Sequence, residues 1–203
     1  MFRLVVITAP TALSEEPRLL AALLAAGLQR LHLRKPGWPA EELAQLVEAL
    51  PTHFHSRLVL HGHPALVRRY GLGGLHLTAS QRAAAARRPA LLPGQTLSTS
   101  FHSLAEVAHA RRRYDYVFLS PIFDSLSKAG YASNFDLATV RTFLQKRAAS
   151  PTRQPQVVAL GGIDSQTSKL ARTAGFAGAA VLGAIWQSPD PVAAFRELRV
   201  GLG

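Results

Sequence analysis

The residues best suited to chemistry lie in one stretch, Tyr116 to Tyr131, which reads Tyr-Val-Phe-Leu-Ser-Pro-Ile-Phe-Asp-Ser-Leu-Ser-Lys-Ala-Gly-Tyr. An apolar run ends at Ser120, and a loop then presents Ser120, Asp124, Ser125, Ser127 and Lys128 within nine residues. Three hydroxyls, a carboxylate and an ammonium beyond a strand end make a donor-rich rim suited to phosphate oxygens. The plain alternative is a solvated serine-rich turn. A second candidate is Gly161-Gly162-Ile163 before a helix opening at Asp164-Ser165, with Leu182-Gly183 further on. Glycines there let backbone NH groups approach an anion closely, as in the phosphate site that parallel barrels build after their seventh and eighth strands. Tight turns alone would also explain them. Arg34 offers bidentate recognition of phosphate or carboxylate, with a surface ion pair as the alternative. His102 has the residue type for general acid-base work, although a histidine beside a helix start also serves as a cap. His61 and His63 suggest a metal pair, but no third histidine, cysteine or carboxylate stands near them in sequence, so no metal site is expected.

These residues need elements to position them, and the chain supplies a regular alternation. Short apolar runs are expected as strands at 3–8, 30–34, 57–60, 74–77, 95–99, 116–119, 156–160 and 178–181. Helical patterns follow each, opening near 14, 39, 64, 79, 103, 136, 165 and 191. Eight strand and helix units predict an α/β fold, a single compact (β/α)8 TIM barrel spanning residues 1–203 as one domain. At 203 residues the chain sits at the short end for that fold, so its loops must be brief. An open doubly wound sheet is the alternative, but Gly-x-Gly-x-x-Gly after the first strand is absent. In a barrel, functional residues should follow strands, and Arg34, Lys35, Ser100, His102, Ser120 to Lys128, Gly161-Gly162 and Leu182-Gly183 all do so in this reading.

Bulk composition excludes several classes. Without cysteine there is no disulfide framework and no thiolate metal site, and a reducing compartment, the cytoplasm, is the expectation. No apolar run approaches a membrane span, and the amino terminus lacks signal-peptide features. A net charge of +11 invites a nucleic-acid reading. Its distribution argues against one, because Arg68-Arg69, Arg87-Arg88 and Arg111-Arg112-Arg113 are dispersed at expected helix ends and no recognition motif accompanies them. The expected partner is a small phosphorylated heterocycle; oligomeric state is not legible.

Six segments together carry a family resemblance: His-Leu-Arg-Lys at 32–35, Gly-Gly-Leu-His-Leu at 73–77, Ser-Phe-His-Ser at 100–103, the run at 115–128, Ala-Leu-Gly-Gly-Ile at 159–163 and Gly-Ala-Ala-Val-Leu-Gly at 178–183. Taken in order, they resemble the thiamine phosphate synthase family, which includes thiazole tautomerases. The resemblance implies a transferase of thiamine biosynthesis that joins hydroxymethylpyrimidine diphosphate to thiazole phosphate with loss of pyrophosphate. It implies Arg34 and Lys128 on the diphosphate, Ser100 near the pyrophosphate, Ser125 and Ser127 near the thiazole and phosphate groups, and the Gly162 and Gly183 NH groups on the thiazole phosphate. Departures are equally clear. Where the synthases carry magnesium carboxylates this chain has His61-Gly62 and Gln81, and Pro36 replaces the family's lysine beyond Arg34, with Lys35 adjacent. No cofactor is therefore certain; Mg2+ is the family's ion, but its carboxylate ligands are missing. The alternatives are a tautomerase working through His102, whose relatives carry a histidine where Pro121 stands here, and a noncatalytic thiazole or thiamine phosphate binder.

Overall fold

A computed structural model of the chain describes residues 2–85, 87–110, 113–124 and 135–202. Its eight strands are β1 (Arg3–Ile7), β2 (Leu31–Leu33), β3 (Leu58–His61), β4 (Gly74–Leu77), β5 (Thr96–Phe101), β6 (Tyr116–Leu119), β7 (Gln156–Leu160) and β8 (Gly178–Val181). They pair in parallel, in chain order, and β8 pairs with β1 to close the barrel. The helices are α1 (Glu16–Ala25), α2 (Ala40–Glu48), α3 (Pro64–Arg69), α4 (Ala79–Ala84), α5 (Leu104–His109), α6 (Leu137–Ala148), α7 (Thr167–Ala174), α8 (Gly183–Trp186) and α9 (Pro191–Val200). This is the expected TIM barrel.

Alternation along each strand decides which residues face the helices and which face the barrel axis, because successive side chains point to opposite faces. In Arg-Leu-His-Leu-Arg at 30–34, Leu31 and Leu33 are buried in the shell between strands and helices. Arg30, His32 and Arg34 occupy the other face: the Arg30 guanidinium lies over the Tyr116 ring across the barrel, 4.7 Å from its centroid, and the His32 ring packs 4.9 Å from that of Phe118. The shell itself is leucine- and valine-rich. Leu20, Leu23 and Leu24 recur on one face of α1 and are fully buried, each such side chain contributing about 1.5–3 kcal/mol.

Several boundaries differ from expectation for identifiable reasons. Helix α4 stops at Ala84 rather than Arg88, so Arg87 and Arg88 lie in the following loop; Arg88 Nη2 pairs there with Asp115 Oδ2 at 2.8 Å. Strand β5 runs on to Phe101 because its pairing with β6 continues through Phe101 opposite Leu119. Ser100 is thus inside the strand, not after it. The short helix α8 after β8 and a 3-10 turn at Thr52–Arg57 have no counterpart in the sequence reading.

Candidate active site at the strand carboxyl ends

The site is built around a polar arc inside the barrel. His32 of β2, His61 at the end of β3 and His76 of β4 meet there, with Ser98 and Ser100 of β5 and Tyr116 of β6 beside them. His32 Nδ1 lies 3.0 Å from His61 Nε2, and His32 Nε2 lies 2.7 Å from the Tyr116 hydroxyl. The His61 and His76 rings stack at 4.1 Å. His76 Nδ1 meets Ser98 Oγ at 2.9 Å and its Nε2 meets Ser100 Oγ at 3.1 Å. Burial pushes all three imidazoles well toward the neutral form, His76 down to about 3. Neighbouring charge acts in the same direction: His76 itself upon His32 and His61, and Arg34 and Arg82 upon His76.

Above this arc the rim is assembled from loop to loop. Thr8 Oγ1 donates to the Arg34 carbonyl at 3.1 Å and accepts from the Arg34 NH at 2.9 Å, so the backbone carrying the exposed Arg34 is clamped to the end of β1. The guanidinium is near enough to His61 and His76 to disfavour their protonation. Arg82 of α4 donates to the Ser100 carbonyl and to Thr99 Oγ1, fixing the end of β5. His102 is exposed at the mouth, with Nδ1 2.8 Å from the Ser120 carbonyl. A carbonyl only accepts, so Nδ1 carries the proton of this bond and Nε2 is the nitrogen left facing away from it. The loop after β6 then crosses to β7: the Ile122 NH donates to the Leu160 carbonyl at 3.0 Å and the Phe123 NH to the Gly161 carbonyl at 3.2 Å.

That crossing explains the glycine pair. Gly162 has φ +62°, and a Cβ on it would lie 2.4 Å from the Asp124 carbonyl oxygen. No other residue fits beneath the loop, so close chain approach as well as ligand approach calls for glycine here. The NH of Gly183 is the first of helix α8, a position that intrahelical bonding leaves unpaired. Arg34, Ser100, His102, Gly161, Gly162, Leu182 and Gly183 thus all sit at the carboxyl ends of the strands. Ser125, Ser127 and Lys128, and with them Arg111 and Arg112, lie outside the described residues.

One sequence expectation changes. Lys35 is not a rim cation: it is buried, its Nζ 2.5 Å from Glu16 Oε1 and donating to the carbonyls of Ala9 and Thr11. A lysine so paired is committed to holding α1 and the β1 loop against β2, and leaving Glu16 alone would strand a buried charge. His63 turns out through a left-handed backbone, φ +52°, at the start of α3, and His61 finds its partners on β2 and β4 instead.

A family profile described as thiamine monophosphate synthase matches residues 4–185. The chain belongs to the thiamine monophosphate synthase family. A thiamine-phosphate synthase of Lysinibacillus sphaericus is 29% identical over 174 residues, 82% of this chain and 79% of that protein. Among solved structures, a thiamine phosphate pyrophosphorylase from Bacteroides thetaiotaomicron is 31% identical with a TM-score of 0.82, covering 99% of this chain and 98% of that one. One from Pyrococcus furiosus shares the fold at 20% identity and a TM-score of 0.76, over 99% and 95% of the two chains. Membership gives the chain the class of a thiamine-phosphate synthase-type transferase of thiamine biosynthesis, and the tautomerase alternative is not favoured.

Within this synthase family the present chain differs at the magnesium positions. Gly62 and Gln81 are neighbours: a Cβ on Gly62 would lie 2.9 Å from Gln81 Nε2. Neither offers a carboxylate, and Gln81 Oε1 already accepts from the Thr78 NH at 3.1 Å in a capping box. A hard, oxygen-seeking Mg2+ does not fit that pair as the family's carboxylates would hold it.

Proposed function

We propose that the chain joins hydroxymethylpyrimidine diphosphate to thiazole phosphate and expels pyrophosphate at the carboxyl-terminal mouth of the barrel. The observation that carries this reading is the gathering of these residues at one rim. Arg34 faces His61 and His76, His76 contacts Ser100, and His102 contacts Ser120. The loop begun there packs on Gly161 and Gly162.

In this reading Arg34, held by Thr8, meets the diphosphate, and its fixed charge counts most where the departing pyrophosphate gains negative charge. Ser100 Oγ adds a hydroxyl beside it, and the Gly162 and Gly183 NH groups receive the thiazole phosphate. Lys128, Ser125 and Ser127 take the diphosphate, thiazole and phosphate roles on the strength of the family resemblance. Gly62 and Gln81 offer no carboxylate to Mg2+, so the charge on the departing pyrophosphate is met by Arg34 and Lys128. The substrates are small phosphorylated heterocycles and the compartment is the cytoplasm; among the described residues no helix is long and apolar enough to cross a membrane.

The test is an assay of the purified chain with both substrates, with and without Mg2+, read as thiamine phosphate formed. Arg34→Ala is expected to lower kcat by about a hundredfold or more, the usual effect of removing one preorganised electrostatic group. Binding of thiazole phosphate with no thiamine phosphate under any condition would replace the synthase with a noncatalytic binder.

A further inference from the structure

We propose that His32, His61 and His76 together bind one divalent transition-metal ion of the Zn2+ and Co2+ class, closed on the barrel side and open toward the mouth. The inference stands apart from the synthase reading; His61 adjoins Gly62 at the family's magnesium position, but the three ligands proposed here are all nitrogen. One ligand atom from each of the three histidines can be chosen so that all lie within 4.8 Å of one another. The His32 Nδ1 to His61 Nε2 separation of 3.0 Å is close to the roughly 3.3 Å that tetrahedral geometry sets between two nitrogens with bonds of about 2.0–2.1 Å.

The surroundings are those of a built site. A ligating histidine usually donates its other ring NH to a fixed acceptor, which sets its tautomer. Here His32 Nε2 has the Tyr116 hydroxyl at 2.7 Å, and His76 Nδ1 has Ser98 Oγ at 2.9 Å. Both hydroxyls are free to accept once the opposite nitrogen binds metal. Without metal, one proton must lie between His32 Nδ1 and His61 Nε2, since two lone pairs at 3.0 Å repel. A tautomer shift of a single ring exposes both nitrogens with no net proton release. His76 gives up its contact with Ser100 Oγ, which then stands beside the open position, and the His61 and His76 rings, stacked with 21° between their planes, rotate out of parallel to converge on one ion.

Position decides the opening. His61 is the last residue of β3 and is only half-buried, whereas His32 and His76 are buried. Three imidazoles with a fourth place toward solvent is the ligand pattern of sites that take a water or a substrate oxygen. The donor set selects against Mg2+, which demands oxygen.

The experiment uses the full chain, freed of metal by EDTA dialysis and then titrated with Co2+ in the visible range, where four- or five-coordinate Co2+ absorbs strongly. One Co2+ per chain is expected, displaced by Zn2+ and not by Mg2+. His61→Gln should weaken binding by about tenfold or more, with an unchanged circular dichroism spectrum. His63→Asn, at the half-buried residue that precedes α3, should bind as the wild type does. The proposal is overturned by any of three outcomes: no saturable Co2+ binding; wild-type binding by both His61→Gln and a folded His76→Gln; or loss of binding in His63→Asn, which would place the ion on the surface.

Discussion

Two arcs of the barrel interior solve the problem of filling the same cylinder by opposite means. From β7 through β8 to β1 the axis is lined by Val158, Leu160, Ala180, Leu182, Val5 and Ile7, side chains that contribute by area and contact alone. From β2 to β5 it is lined by His32, His61, His76, Ser98 and Ser100, which are tolerable in a dry interior only because each finds a partner. The difference separates two tasks. An apolar arc holds the cylinder closed under any condition, whereas the polar arc stores hydrogen-bonding capacity beneath the mouth and is sensitive to protonation. Phe118 sits at the seam, packing with Val5, Ile7 and Val158 on one side and its ring 5.1 Å from that of His76 on the other.

That seam gives the largest expected effect. Phe118 is fully buried, and Phe118→Ala should destabilise the fold by about 3–5 kcal/mol through lost transfer free energy and the cavity left behind. Urea denaturation measures it. A loss below about 1 kcal/mol would mean the two arcs do not lean on a common ring, and the division drawn here would fail.

Acidification separates the arcs next. The folded pKa values of His32, His61 and His76 lie below the unfolded value near 6.5, so the unfolded chain binds more protons as pH falls through that value. Their contribution is fully present above about pH 6.5 and declines below it, down to the folded pKa, about 3 for His76. In EDTA-treated protein, going from about pH 7.5 to about pH 5.5 should therefore cost about 1 kcal/mol from His76 alone, with His32 and His61 adding to it. Denaturant midpoints at the two pH values read it out. Equal stability at both would show that the imidazoles are already charged, against the burial that keeps them neutral.

The arcs also differ in how far they could be read from sequence. The barrel itself was legible, because strands β4, β6, β7 and β8 coincide with apolar runs whose period and spacing need no tertiary information. Rim residues such as Arg34, His102, Gly162 and Gly183 were legible by the rule that function follows strands. The polar arc was not. His32, His61 and His76 lie far apart in the chain, and only closure of β2, β3 and β4 into neighbours brings them together, so the sequence offered His61 no third ligand beside His63 and no metal site was expected. The available signal was alternation: Arg30, His32 and Arg34 share one face of β2, and His76 stands between Leu75 and Leu77. Lys35 was misplaced for a related reason, since its partner Glu16 belongs to a helix whose docking against β2 no local pattern records.

The smallest effect sharpens the comparison most closely, because it sets one small deletion on each arc against the other. Ser98→Ala removes a hydroxyl that sits 2.9 Å from His76 Nδ1, leaving a buried ring nitrogen without that partner, and should cost about 1–3 kcal/mol. Ile7→Val removes one methylene from the apolar arc and should cost about 0.5–1.5 kcal/mol. Both sites are buried, so the ordering reflects chemistry rather than exposure. It should also depend on pH in different ways. Ile7 pairs in register with His32 but offers its side chain no hydrogen bond, and the cost of Ile7→Val should change less across the acid range. Ser98 acts through His76, and its cost should change once that imidazole takes a second proton, because both ring nitrogens then need acceptors. Denaturant titration of the two variants at neutral and acidic pH tests this; a larger cost for Ile7→Val at neutral pH would show that packing, not hydrogen bonding, limits the polar arc as well.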